Sequence, residues 1–205
     1  SLRNAGIENL LVVDCAGWGQ YPDSIKDYGY SVYSADTLGN TMFSIHMYEY
    51  AGGDSSMVKN NIDNALNIGV PVMIGEFGCK HTDGDVDEYT IMSYCQEKGV
   101  GYFGWSWKGN GDTWSYLDLA YNWDGSSLSD WGNTLVYDTN GIKNTSKICS
   151  VYEGGVVVPT ATPAATATPT PAATATPAPT VAPTATPDSS ENYISLFYGD
   201  AWSSN

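Results

Sequence analysis

Four short apolar runs, each set apart from the next by a stretch long enough for a helix, constrain this chain more than any other feature. They are Asn9 to Cys15 (NLLVVDC), Thr41 to Tyr48 (TMFSIHMY), Val70 to Phe77 (VPVMIGEF) and Val100 to Trp107 (VGYFGWSW). A continuous apolar run of this length is what a strand buried on both faces requires. The stretches between them read as helices. Asp23 to Tyr33 follows Pro22, a favoured residue at a helix start. Ser55 to Ile68 places Met57, Val58, Ile62, Ala65, Leu66 and Ile68 at helical spacing, with Ser55 or Ser56 as cap and Gly69 as stop. An acidic helix from Asp85 to Glu97 stops at Gly99. Strands joined by helical crossovers make a parallel sheet of right-handed βαβ units. No glycine-rich nucleotide fingerprint or phosphate-cradling loop accompanies them, so a closed eight-stranded barrel, half of it present, is favoured over an open doubly wound sheet. The opening residues Ser-Leu-Arg-Asn-Ala-Gly read as the last turn of a helix closed by Gly6, so the expectation is that a domain is entered part-way through.

Composition excludes several partners. A net charge of -15, with only eight Lys and Arg, argues against nucleic acid and against an anionic membrane surface. A neutral ligand suits the chain better. Seven Trp and 15 Tyr supply flat apolar rings with polar edges, which fit sugar faces as well as they fit cores. No apolar run is long enough to span a membrane. Cys15, Cys79, Cys95 and Cys149 have neither CxxC spacing nor His partners at zinc-site spacing, and three disulfide connectivities stay open.

From Val156 the composition changes. Eight prolines lie between Pro159 and Pro187 among Ala and Thr, and PAATATP occurs at Pro163 and again at Pro171. Prolines this dense forbid helix and sheet ladders, so a disordered, extended Pro/Thr/Ala linker is expected over 153–190. Such Thr- and Pro-rich spacers are frequent O-glycosylated stalks, which points to a secreted, extracellular protein. Residues 191–205 regain strand character and read as the start of a β-rich module, of the kind that binds carbohydrate.

The chemistry-bearing residues sit where the apolar runs end. Asp14 and Trp18 follow the first, His46 and Tyr48 close the second, Glu76 the third, and Trp105 and Trp107 the fourth. A barrel gathers these ends at one mouth. Glu76, flanked by Gly75 and Gly78 within GEFG, is a carboxylate on rigid backbone that ligand can approach closely. Cleaving a glycosidic bond takes two carboxyl groups, one of which attacks the anomeric carbon in retaining enzymes. An ionised Glu76 fits that part. A Tyr hydroxyl or imidazole beside it would orient its oxygens, and an indole would stack on the sugar ring.

The motifs AGWGQYP from Ala16, GNTMFSIHMYEYAGGD from Gly39, IGEFG from Ile74, HTDGDVDE from His81, GWSWKGN from Gly104 and YLDL from Tyr116 together resemble bacterial endo-β-1,4-mannanases of glycoside hydrolase family 5. The resemblance runs from Ser1 to about Tyr152. It implies an α/β fold, the C-terminal half (strands 5–8) of a (β/α)8 TIM barrel over 1–152, of the retaining clan A type. It implies that Glu76 is the nucleophile, that His46 and Tyr48 line the catalytic subsite with Tyr48 in hydrogen-bonding reach of Glu76, and that Trp105 is a stacking platform. It further implies a mannan-degrading hydrolase that acts as a monomer without cofactor, with a cellulase or other β-glucanase of the same clan, or a non-catalytic polysaccharide-binding protein, as alternatives. The family's acid/base is a Glu preceded by Asn, and Asn-Glu occurs nowhere in this chain. Glu49 and Asp14 are the nearest substitutes, at different positions. The chain alone is therefore expected to be inactive.

Each remaining candidate has a plainer reading beside it. Trp18 is either a distal sugar platform or a loop anchor. Alternation across Ser106 places Trp105 and Trp107 on one face of the fourth strand, where one or both contact sugar or pack in the barrel. Trp114, Trp123 and Trp131 extend the cleft or pack the final loop. Asp83, Asp85, Asp87 and Glu88 lack the full calcium-loop pattern, and capping of the next helix is the better account; no metal is expected.

Overall fold

The computed structural model describes residues 2–82 and 84–148. The linker and the C-terminal segment expected from the sequence lie outside the described residues, as does Cys149. Among the described residues six strands and six α-helices follow in order: β1 Leu11–Asp14, α1 Asp23–Ala35, β2 Thr41–Met47, α2 Glu49–Gly52, α3 Ser55–Asn67, β3 Val72–Phe77, β4 Lys80–His81, β5 Gly84–Asp85, α4 Glu88–Lys98, β6 Gly101–Tyr102, α5 Asp130–Tyr137 and α6 Ile142–Thr145. Two 3₁₀ segments, Arg3–Ala5 and Asp112–Leu117, complete the order. Gly6, at φ 82°, closes the first of these.

The main sheet runs β1-β2-β3-β6, all parallel, with helical crossovers between successive strands. The alternation read from the apolar runs is thus the alternation of the fold. One face of the sheet carries Val13, Phe43, Ile45, Met47, Val72, Ile74 and Phe77, all buried. They form a single core with Ile25 of α1, Val58, Ile62 and Ala65 of α3, and Ile91, Met92 and Cys95 of α4. The α3 residues recur at i, i+4 and i+7, which keeps them on the face toward the sheet. On the other face, Leu10 and Val12 remain 48% and 45% exposed. That is the face on which Asp14, Ser44, His46 and Glu76 stand.

A bulge joins β2 to β3. Ile45 pairs with Ile74 and His46 with Glu76, so Gly75 has no partner. The extra residue moves Phe77, rather than Glu76, onto the buried face of Val72 and Ile74, and leaves Glu76 beside His46.

Several sequence expectations need correction. The cap of α3 is Asp54, which accepts from the N–H groups of Ser56 and Met57, because Ser55 and Ser56 already lie inside the helix. The acidic helix starts at Glu88, not Asp85, since Lys80–His81 and Gly84–Asp85 pair as a small antiparallel hairpin. Asp87 caps that helix on Thr90 N–H, as the capping reading required, and Gly99, at φ 69°, ends it. The fourth strand stops at Tyr102, so Trp105 and Trp107 stand past it and strand alternation does not decide which face they share. Trp131 is in the core: its ring meets Phe77 edge-on at 5.3 Å, and its indole donates to the Trp105 carbonyl. Among the described residues Cys15, Cys79 and Cys95 form no disulfide with one another, and burial pushes the thiols of Cys15 and Cys95 up to about 12.

Candidate active site

At the C-terminal ends of β1, β2 and β3, four side chains form a connected row. Asp14 Oδ1 lies 3.2 Å from His46 Nε2, and His46 Nδ1 lies 3.5 Å from Glu76 Oε2. The Tyr48 hydroxyl donates to the same Glu76 oxygen at 3.0 Å. The parallel register sets Asp14 beside Ser44 and His46 beside Glu76, and Tyr48 follows β2 directly. Residues far apart in sequence meet because three strands end together.

The loop after β1 closes the row from one side. Gly19 adopts φ 78° and lies flat on the imidazole, where an added Cβ would sit 2.4 Å from His46 Cγ. The Gly19 carbonyl accepts from His46 N–H at 2.7 Å and from the Cys15 thiol at 2.9 Å. Trp18, at the tip, is 84% exposed with φ 54°.

Burial and pairing set the charges. Burial raises the pKa of Glu76 above the usual carboxylate range, and the His46 charge and the Tyr48 hydroxyl only partly offset it. Burial alone would lower His46, but its bond to Asp14 and the charges of Glu76 and Asp14 outweigh that and raise it. Asp14 is also penalised by burial, yet hydrogen bonds from His46 and Ser44 leave it below its ordinary value. Tyr48 is raised by burial first and then by Glu76, so it remains a protonated donor. The row therefore holds an ionisable carboxylate whose Oε2 is fixed by two neighbours and whose Oε1 stays available.

Glu49 takes no part in that row. Its side chain is only 7% exposed and faces His81, whose Nδ1 lies 3.0 Å from Oε1 and 2.9 Å from Oε2. Bond geometry favours Oε1, and Oε2 keeps only the charge contact.

The aromatic residues after β6 are held by a polar network that the sequence reading missed. Trp105 donates its indole N–H to Asn110 Oδ1 at 2.9 Å, and Asn110 in turn donates to Asp118 Oδ1 at 2.7 Å and to Ser106 Oγ at 3.1 Å. Trp107 donates to the Trp123 carbonyl at 2.9 Å, and Trp114 to Thr82 Oγ1 at 3.3 Å. Trp105, Trp107, Trp114 and Trp123 all remain partly exposed. The signal for the network was present as Asn110 in GWSWKGN and Asp118 in YLDL, but no periodicity links them. Among the described residues no group of His, Cys, Asp and Glu is arranged to hold a metal ion, and no helix is long and apolar enough to cross a membrane.

Comparison with known proteins agrees with this geometry. The family model for cellulase (glycosyl hydrolase family 5) matches residues 1–111. A mannan endo-1,4-beta-mannosidase of Salipaludibacillus agaradhaerens is 57% identical over 151 residues, 74% of this chain and 49% of that protein. One of Streptomyces lividans is 43% identical over 155 residues, 75% of this chain and 40% of that protein. The chain thus spans about half the length, or less, of these curated relatives. The mannohexaose complex of Thermomonospora fusca beta-mannanase is similar with a TM-score of 0.66 and 43% identity, over 71% of this chain and 48% of that one. A four-stranded parallel sheet with its helices, matching half of such a chain, is half of a (β/α)8 barrel. Motif order, strand-end geometry and the family match agree that this chain belongs to glycoside hydrolase family 5.

Proposed function

We propose that the chain is the nucleophile-bearing half of a secreted, retaining endo-β-1,4-mannanase that cleaves internal bonds of plant β-mannan. The observation that carries this reading is Glu76, set at a strand end with Oε2 fixed by Tyr48 and His46. In the first step Oε1 attacks the anomeric carbon, the C1–Oε1 bond forms and the glycosidic C1–O bond breaks, and the leaving oxygen takes a proton from an acid outside this chain. Water then attacks C1, giving its proton to the same outside group, now a base, while the C1–Oε1 bond breaks and Glu76 is released as carboxylate. Trp105, with Trp107 and Trp18 further out, supplies faces on which sugar rings stack.

The acid has to come from elsewhere. Asp14 is held below its ordinary pKa by its bonds from His46 and Ser44, which makes it a poor proton donor, and Glu49 is paired with His81 outside the row. The mannan preference is supported by the names of the relatives and by the mannohexaose bound to a similar barrel. The reading of the parent as secreted is supported by the Pro- and Thr-rich linker sequence.

The test is reducing-sugar release from soluble β-mannan and from a soluble cellulose derivative by the chain extended upstream to a whole barrel. Mannan cleavage should fall by at least about a thousandfold in Glu76→Ala. Cleavage of the cellulose derivative alone would move the substrate to β-glucan. No cleavage of either polymer by a folded protein that still binds them would favour a carbohydrate-binding role.

A further inference from the structure

The pair formed by Glu49 and His81 lies one residue from the row of site residues and is not used by the chemistry above. Glu49 follows Tyr48 directly and opens α2, whose Gly52 N–H returns to the Tyr48 carbonyl. His81 arrives from the β4–β5 hairpin. That hairpin is fitted to Glu49: an added Cβ on Gly84 would lie 3.1 Å from Glu49 Cβ. The His81 ring faces the Tyr48 ring at 4.8 Å between centroids, tilted by 36°. One imidazole therefore holds a buried carboxylate through Nδ1 and backs the tyrosine whose hydroxyl reaches Glu76.

Core packing does not demand this arrangement. A carboxylate with one favourable donor, buried to this extent, is a costly way to fill space. Its oxygens fix the rotation of the imidazole, and the imidazole face limits where the Tyr48 ring can lie. The outer edge of His81 lines an open pocket with Trp114 and Tyr116. A ligand entering there would press on the same ring.

We propose that Glu49 and His81 are positioning residues, a carboxylate–imidazole pair that holds the Tyr48 ring so that its hydroxyl stays on Glu76 Oε2. The inference rests on the reading of Glu76 as nucleophile. Without the pair Tyr48 gains freedom, its hydrogen bond to Glu76 weakens, and the first chemical step slows while sugar binding at the indoles persists.

The test is a double-mutant cycle in the barrel-complete protein, with His81→Ala, His81→Asn and Glu49→Gln each made alone and together with Tyr48→Phe. His81→Ala should lower kcat about tenfold with KM changed by less than about twofold, and should move the acid limb of the pH profile upward. His81→Asn, whose planar amide can replace the Nδ1–H donor to Glu49 and part of the face against Tyr48, should keep more of the rate than His81→Ala. In the Tyr48→Phe background each substitution should cost less than about twofold, because its effect runs through the missing hydroxyl. Equal losses in both backgrounds, a loss confined to KM, or His81→Asn as slow as His81→Ala would overturn the proposal. Should His81→Ala fail to fold, Glu49→Gln closes the same cycle. The Tyr48 ¹³Cζ resonance needs no substrate: it should shift in His81→Ala and shift less in His81→Asn, and no shift in either would also overturn the proposal. Failure of the nucleophile reading is seen separately, as wild-type hydrolysis that survives Glu76→Ala.

Discussion

Gly75 stands where β3 passes β2 without a partner, and a Cβ there would lie 2.1 Å from Ser44 Oγ. That hydroxyl is one of the two groups holding Asp14 ionised, so crowding at residue 75 reaches His46 through Asp14. Gly75→Ala should destabilise the barrel-complete protein by about 1–3 kcal/mol, read from the denaturant midpoint at constant slope. Tyr48 makes a different kind of claim. Burial raises Glu76, and the Tyr48 hydrogen bond is one of two influences pulling it back down. Removing the hydroxyl removes a lowering influence, so the pKa of Glu76 rises further. Tyr48→Phe should therefore move the acid limb of kcat/KM to higher pH and lower the plateau, which a pH–rate profile measures. A limb that stays in place or moves to lower pH would contradict the assignment.

Individual elements show what the sequence could and could not reveal. The strands and α1, α3 and α4 were legible because apolar spacing of two kinds alternates along the chain, and Glu76 was legible because it ends an apolar run between glycines. The α3 cap was misread by one residue: the Ser pair suits a cap by type, but the backbone turns at Asp54. Asp54→Ala should cost about 1 kcal/mol, measured by thermal unfolding, whereas Ser55→Ala should cost far less. The β4–β5 hairpin was hidden because two-residue strands have no period to read, and its role depends on what it covers, namely Glu49. The fourth strand was overread because VGYFGWSW has strand composition, while sheet pairing stops at Tyr102. α5 escaped notice in a loop rich in Gly, Asp and Ser, although Ser129 caps it and Trp131 and Leu135 recur at i, i+4. The site row was legible as a set of strand ends, but the contact between His46 and Asp14 was not, since it depends on register.

At the scale of the whole molecule, the structure has two unlike sheet faces. The helix-covered face is closed, while the face carrying the site row leaves Leu10, Val12 and, beyond β6, Phe103 exposed, the last by 60%. Among the described residues β1 and β6 are edge strands, and closed barrels have none. With Asp14 ionised and Glu49 buried, residues 1–205 alone should release no reducing sugar from β-mannan, and the barrel-complete protein should. During turnover Glu76 should become covalently bound to sugar. The most direct measurement is to inactivate the barrel-complete protein with a 2-deoxy-2-fluoro-β-mannosyl fluoride, which slows release of the intermediate, and to sequence the labelled peptide by mass spectrometry. One sugar ester, on Glu76, is expected. A label on another carboxylate, or none on an enzyme that still hydrolyses mannan, would contradict it.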